Sequence, residues 1–207
     1  MITVNNILEV ESYLNQVDGV VFDVDDTLYS EKNYVRSGYR EIAQNYPNIE
    51  NAEEKLWNSF LKGEKAIDKV FDEARLDEKE KKNALNIYRE HMPVIELYTG
   101  VSEMLSRIKN KGKKIGIITD GRPNGQKNKI KALRLDVDQV IITDELGGIQ
   151  YRKPNKKAFE LMQNRWKIAF NKMVYIGDNI TKDFTAPKEL GMEAIYFKNA
   201  DGLYYVG

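Results

Sequence analysis

VVFDVDDTLYS, residues 20–30, joins an apolar run to three aspartates within four positions, Asp23, Asp25 and Asp26. The run begins at Gly19 and reads as a short strand buried on both faces, as in a parallel sheet. Carboxylates this close repel one another, and each loses hydration where a buried strand ends. The cluster therefore has to be offset by something, and the rest of the chain indicates what.

Four later runs resemble the first: KKIGIIT (113–119), QVIIT (139–143), MVYIGD (173–178) and EAIYF (193–197). Helical patterns lie between them, in GVSEMLSRIKNKG, NGQKNKIKALRL and NKKAFELMQNRW, and another, NNILEVESYLNQ, precedes the first run with Asn5 or Asn6 as its cap. Strand alternating with helix predicts an α/β fold with a doubly wound, mainly parallel, Rossmann-like sheet. From about Asn33 to Leu97 the alternation stops. Four amphipathic helical patterns follow one another there with no strand between them, too long an interval for a simple crossover. The expected organisation is a core of residues 1–32 and 98–207 with an all-helical subdomain, 33–97, inserted after the first strand.

The 32 basic and 32 acidic side chains balance to zero net charge, which removes a bulk electrostatic case for nucleic acid or an anionic membrane. KNKGKK and KNKIKALR, the most basic stretches, lack interleaved aromatics and are expected to face solvent. Cysteine is absent, excluding disulfides, thiolate nucleophiles and cysteine-bound zinc. The single histidine, His91, argues against a histidine metal cluster or a Ser-His-Asp triad and is expected to be a partly exposed helix-end residue. With no signal-peptide pattern at the N-terminus and no stretch long enough to span a bilayer, a soluble cytoplasmic protein is expected. The sequence carries no mark of oligomeric state. Tyr204 and Tyr205, near the end of the chain, are expected to pack on the core.

Polar residues follow the strand-like runs at particular places. Asp23 ends the first, and Thr119 ends the second with Asp120 and Gly121 behind it. Asp178 ends the fourth, with Asp183 five residues on, and Lys153 lies between the third and fourth in RKP. In an open α/β sheet ligands bind beyond the carboxyl ends of the strands, so parallel strands would gather these residues at one edge. Carboxylates without soft ligands call for a hard cation. Mg²⁺ fits, since it uses one or two carboxylates and shares phosphate oxygens with a substrate. Lysine, threonine and the backbone N–H groups around Asp120 and Gly121 suit the remaining phosphate oxygens. One aspartate is then free to attack phosphorus and another to move a proton.

In this order the motifs resemble those of the haloacid dehalogenase superfamily: DVDDT for Asp-x-Asp-x-Thr, IITDG for the strand ending in Thr or Ser, Lys153, and GDNITKD for Gly-Asp-x₄-Asp. The resemblance implies a phosphohydrolase in which Asp23 is the nucleophile and forms an aspartyl-phosphate. Asp25 would be the acid and base, and Thr119 with the following backbone N–H would bind the phosphoryl group. Lys153 would neutralise Asp23 and the phosphate, and Thr27 would brace the loop. Mg²⁺ would be held by the Asp23 side chain, the Asp25 backbone carbonyl and Asp178, with Asp183 supporting it through waters. Residues 33–97 would be a helical cap closing over the site. The superfamily's dehalogenases lack the second aspartate, so Asp25 points to phosphoryl transfer.

A helical cap favours a small phosphate monoester such as a sugar phosphate, phosphoglycolate or a nucleoside monophosphate. Two alternatives share the fold: a phosphomutase acting on a sugar phosphate, and a catalytically silent binding module. Arg122 is a specificity candidate, placed to meet a second anionic group or else a solvated loop residue. Tyr34, Arg36 and Tyr39 lie in the cap, where packing is the expected role of the tyrosines. Asp26 has no assigned chemistry.

Overall fold

In the computed structural model, which describes residues 1–205, the five apolar runs are strands of one all-parallel sheet. They are β2 (Gly19–Phe22), β3 (Lys114–Thr119), β4 (Gln139–Ile142), β5 (Met173–Gly177) and β6 (Glu193–Phe197). A sixth strand, β1 (Ile2–Val4), adds to the edge beside β6. Its three residues are too few to display a period, and the sequence gives them no signal apart from the helical pattern that follows. That pattern forms a 3-10 helix, Ile7–Tyr13, capped by the Asn6 side chain accepting from the Leu8 N–H at 2.9 Å.

The strand order is β1-β6-β5-β2-β3-β4. The chain winds outward from β2 through β3 to β4, then returns to the other side of β2 with β5 and β6. β2 is thus central, and the winding reverses between it and β5, where an α/β sheet opens a crevice at its carboxyl edge. In register, Val21 lies opposite Gly116 on one side and Tyr175 on the other.

Side-chain alternation gives the sheet two buried faces. Val20, Phe22, Ile115, Ile117, Val174 and Ile176 share one core with α5 (Val101–Asn110), while Val21, Ile118, Ile141 and Tyr175 share another with α7 (Lys157–Trp166) and α8 (Thr185–Leu190). α6 (Pro123–Ala132) follows β3. The crossover from β2 to β3 carries the helical interval: α1 (Glu31–Asn45), α2 (Ala52–Leu61), α3 (Ala66–Glu73) and α4 (Glu78–Glu90). These four build a separate apolar core around Ile42, Leu56, Val70 and Phe71. Tyr39 belongs to that core and Tyr34 to the core under the sheet.

Two expectations about the surface are corrected. His91 ends α4 as its cap residue and is buried, at 6% exposure, among the Tyr34 and Tyr88 rings. Tyr204 and Tyr205 are exposed rather than packed on the core, at 53% and 41%. Among the described residues no helix is long and apolar enough to cross a membrane.

Gly116 lets α7 approach the sheet: a Cβ there would meet Met162 at 2.7 Å and the Trp166 ring at 2.8 Å. Gly116→Val is expected to destabilise the fold by roughly 1–3 kcal/mol through overpacking, read as a lower urea midpoint with unchanged slope.

Candidate active site

Because β2 lies between β3 and β5, Asp23, Thr119 and Asp178 emerge from neighbouring strand ends. Lys153 reaches them from the connection after β4, with a side chain that is fully buried. Its ammonium donates to Asp23 Oδ2 at 2.9 Å, to Asp183 Oδ1 at 2.8 Å and to the Tyr175 hydroxyl at 2.7 Å. Asp183 is turned into the site by the Asn179 backbone N–H, which donates to its Oδ2 at 2.9 Å. Gly177 makes room for it, since a Cβ at that position would run into the Asp183 carboxylate. One carboxylate oxygen each from Asp23, Asp178 and Asp183 lies within 4.8 Å of the others.

Three buried carboxylates, Asp23, Asp178 and Asp183, face the Lys153 ammonium here, and two of them are pushed toward the neutral form. Burial pushes Asp23 up to about 6 against the pull of Lys153. Burial and then the Asp23 charge push Asp178 up to about 8. Thr27 donates to Asp178 at 3.3 Å, a weak bond for a buried anion. The donor set is all hard oxygen and under-compensated in charge, which fits a hard divalent cation.

Asp25 has the opposite environment. Burial works to raise it, but the Lys129 ammonium at 2.7 Å and bonds from Gln126, at 2.9 Å, and Tyr29 outweigh burial and hold it below the ordinary carboxylate range. Lys129 belongs to KNKIKALR, expected to face solvent; it is instead buried, with its ammonium 4.1 Å from the centre of the Tyr34 ring. Its signal in the sequence was weak, because a lysine on a lysine-rich helix gives no hint of an aspartate 104 positions away.

Thr119 is fully buried and its hydroxyl accepts from Gln126 at 3.0 Å, which leaves its own proton for an anion. Asp120 ties loops together, accepting from the Thr143 hydroxyl at 2.9 Å and from the Lys153 backbone N–H at 3.0 Å. Gly121 takes φ 139°, in the region that favours glycine. Arg122 is the exposed N-cap residue of α6 and is absent from the cavity wall. That cavity, of about 300 Å³, is lined by Asp23, Asp25, Asp120, Lys153 and Asp178 together with Glu31, Arg152, Asn179, Lys182 and Tyr204. Glu31 makes no side-chain hydrogen bond among the described residues, and burial followed by the Asp25 charge pushes it up to about 8.

Asp26 proves to be a clamp. With φ 52° it turns the loop after Asp25, and its buried carboxylate accepts from the Glu31 N–H at 2.8 Å and the Leu203 N–H at 2.7 Å. Its carbonyl accepts from Asn199 at 2.7 Å. The start of α1 and the segment bearing Tyr204 are thereby fixed to the aspartate loop.

Comparison with known proteins follows the same residues. The family model for haloacid dehalogenase-like hydrolases matches residues 20–197. The chain belongs to this family. A glyceraldehyde 3-phosphate phosphatase of Methanocaldococcus jannaschii is 29% identical over 193 residues, covering 85% of this chain and 82% of the relative. The pyrophosphatase PpaX of Bacillus cereus is 26% identical, over 79% of this chain and 76% of its own. The fold is shared with a 2-haloacid dehalogenase from Pseudomonas syringae pv. tomato (TM-score 0.58, 20% identity, 87% of this chain and 86% of that one). It is shared too with the candidate hydrolase YfnB of Bacillus subtilis, solved bound to magnesium (TM-score 0.63, 17% identity, 88% and 87%). The chain is a hydrolase of the haloacid dehalogenase phosphatase type.

Asp26→Ala leaves two backbone donors without their acceptor. It is expected to cost roughly 1–3 kcal/mol of stability, measured by urea unfolding, and to increase proteolytic nicking near residues 199–205.

Proposed function

We propose that this family member is a Mg²⁺-dependent phosphatase that hydrolyses a small phosphate monoester through an aspartyl-phosphate on Asp23. The observation that carries the proposal is the setting of Asp23. It ends the central strand, is steered by Lys153 at 2.9 Å, and shares a cavity with a second aspartate two residues on.

In the first half-reaction an Asp23 carboxylate oxygen bonds to phosphorus as the bond from phosphorus to the ester oxygen breaks, and Asp25 gives that oxygen a proton. In the second, Asp25 takes a proton from the water that attacks the phosphoryl group, releasing phosphate and restoring Asp23. The proton that Asp25 gives to the leaving group is the one it took from water in the preceding turnover, and the Lys129 pair favours the carboxylate that remains, the form that activates the next water. Thr119 and the backbone N–H groups that follow hold phosphoryl oxygens. Asp23, the Asp25 carbonyl and Asp178, with Asp183 behind them, would hold Mg²⁺, which would supply charge neutralisation at the phosphoryl oxygens. Lys153 keeps Asp23 oriented and ionised.

The cavity is at the small end of ligand pockets, and its wall is polar apart from the Tyr204 ring. Both features favour a compact, hydroxylated or carboxylated leaving group. A triose phosphate or phosphoglycolate fits better than a nucleoside monophosphate. The phosphatase relatives named for glyceraldehyde 3-phosphate support the same size class. Helices α1–α4 would act as the cap, with α4 meeting α6 through Asn124 to Glu90 at 2.9 Å.

Purified protein is expected to release inorganic phosphate from p-nitrophenyl phosphate and from glyceraldehyde 3-phosphate with Mg²⁺, and to stop when the metal is chelated. Asp23→Asn is expected to reduce the rate at least about a thousand-fold. No turnover over a broad panel of phosphate esters would contradict the proposal. Because the metal would bind the folded state alone, Mg²⁺ at about a hundred times its Kd is expected to add ~2.7 kcal/mol of stability, read as a higher Tm. Asp178→Asn is expected to abolish that rise.

A further inference from the structure

The alcohol of a phosphate ester leaves on the side of the acid that protonates it. Here that acid is Asp25, so an alcohol would touch the cavity wall beside Asp25. Two side chains of the cavity wall, Glu31 and Tyr204, have no part in the chemistry proposed above. One residue sets both. Asp26 Oδ1 accepts from the Glu31 N–H at 2.8 Å, and Asp26 Oδ2 accepts from the Leu203 N–H at 2.7 Å. The start of α1 and the residue before Tyr204 are thereby pinned to the two oxygens of a single carboxylate. After burial, the Asp25 charge acts on Glu31 most strongly, and the Glu31 charge is the largest influence on the Tyr204 hydroxyl. Asp25, Glu31 and Tyr204 are thus neighbours along one stretch of wall.

What this wall can bind follows from its chemistry. The Glu31 carboxyl has no hydrogen-bond partner among the described residues and lines the cavity. An alcohol hydroxyl both donates and accepts, so it answers Glu31 whether ionised or neutral. A carboxylate on the substrate only accepts, and beside an ionised Glu31 it is repelled. The half-exposed Tyr204 ring offers an apolar face to the C–H side of a short carbon chain. The cations that could draw a carboxylate lie elsewhere. Arg152 is committed to Asp144 through Nε and Nη2, both at 2.7 Å. Lys182 leans toward Asp120, whose Oδ2 is 3.5 Å away, and the other acidic charges it feels most are those of Asp23 and Asp183. That places it on the phosphoryl side of the cavity rather than beside Asp25.

We propose that Glu31 and Tyr204 form the subsite for the leaving group and select a polyhydroxy alcohol over a carboxylated one. The assignment rests on the phosphatase function proposed above and narrows its substrate class. Glu31 accepts from a hydroxyl near the ester oxygen, and the Tyr204 ring packs on the carbon chain. The segment after β6 thereby takes part in recognition alongside the start of α1.

The test compares kcat/KM for glycerol 3-phosphate and for phosphoglycolate in wild type, Glu31→Gln and Tyr204→Ala, with inhibition by inorganic phosphate measured in each. Wild type is expected to prefer glycerol 3-phosphate by about ten-fold or more. Glu31→Gln removes the charge and adds amide donors. It is expected to lose most of that preference, gaining on phosphoglycolate while losing on glycerol 3-phosphate. Tyr204→Ala is expected to raise the KM for glycerol 3-phosphate several-fold. Inhibition by phosphate, which carries no alcohol, is expected to hold in both variants, as is the Tm. A wild-type preference for phosphoglycolate overturns the assignment. An unchanged ratio in Glu31→Gln overturns it for Glu31, and an unchanged KM in Tyr204→Ala overturns it for Tyr204. So does a loss of phosphate affinity that matches the loss of kcat/KM, the signature of a general disturbance of the cavity. Wild type that hydrolyses no ester strikes the phosphatase function instead, and calorimetric binding of the same two esters to wild type and variants still decides the roles of Glu31 and Tyr204.

Discussion

Lys153 holding Asp23 and Asp183 at once is the interaction on which the rest of the structure depends. Neither carboxylate could be buried beside the other without it, and truncating one partner of such a buried pair leaves an uncompensated charge. The sheet exists in the form that makes this contact. β2 is central so that Asp23 opens onto the crevice, and β5 lies next to it so that Asp178 and Asp183 arrive from the adjacent strand end. Gly177 has no side chain, so Asp183 can pass beneath the sheet edge. Even after the pair forms, negative charge is in excess, and this residual imbalance is what a divalent cation would answer.

The loop from Asp23 to Glu31 is the mechanical centre of the molecule. Its three aspartates share a short stretch but differ in partners. Asp23 faces Lys153, Asp25 is tied to α6 through Lys129 and Gln126, and Asp26 fixes the start of α1 and the segment around Leu203. The helical unit enters the chain at α1, so any movement of α1 relative to the sheet bears directly on the loop that carries the proposed nucleophile. α6 and α4 supply a second connection between the sheet layers and the helices. A repulsive cluster at a strand end thus becomes a hub because each carboxylate is offset by a different part of the fold.

Much of this was legible in the sequence, for physical reasons that vary by residue. Strands buried on both faces have to be continuously apolar, so five of the six announced themselves, while β1 is too short to do so. The rule that ligands gather at the carboxyl ends of parallel strands brings Asp23, Thr119 and Asp178 to one edge, and the strand order makes their strands neighbours. Contacts fixed by three-dimensional return were not legible. Lys129 looked like another solvated lysine, and nothing local marks Asp26 as a double acceptor. Arg122, next to Asp120 and Gly121 in sequence, does not line the cavity; it is the exposed N-cap residue of α6, with Pro123 opening the helix behind it. Lys182 and Glu31, which do line the cavity, sit beside assigned motif residues and carried no separate signal.

The central claim is that Asp23, and no other side chain, receives the phosphoryl group. Rapid acid quenching of the Mg²⁺-loaded protein during turnover of a phosphate ester, followed by peptide mapping of the phosphorylated species, tests it most directly. The account predicts one acid-stable, base-labile acyl-phosphate, on the peptide containing Asp23. Phosphate on a different residue, or steady turnover with no phosphorylated peptide at any quench time, would contradict it.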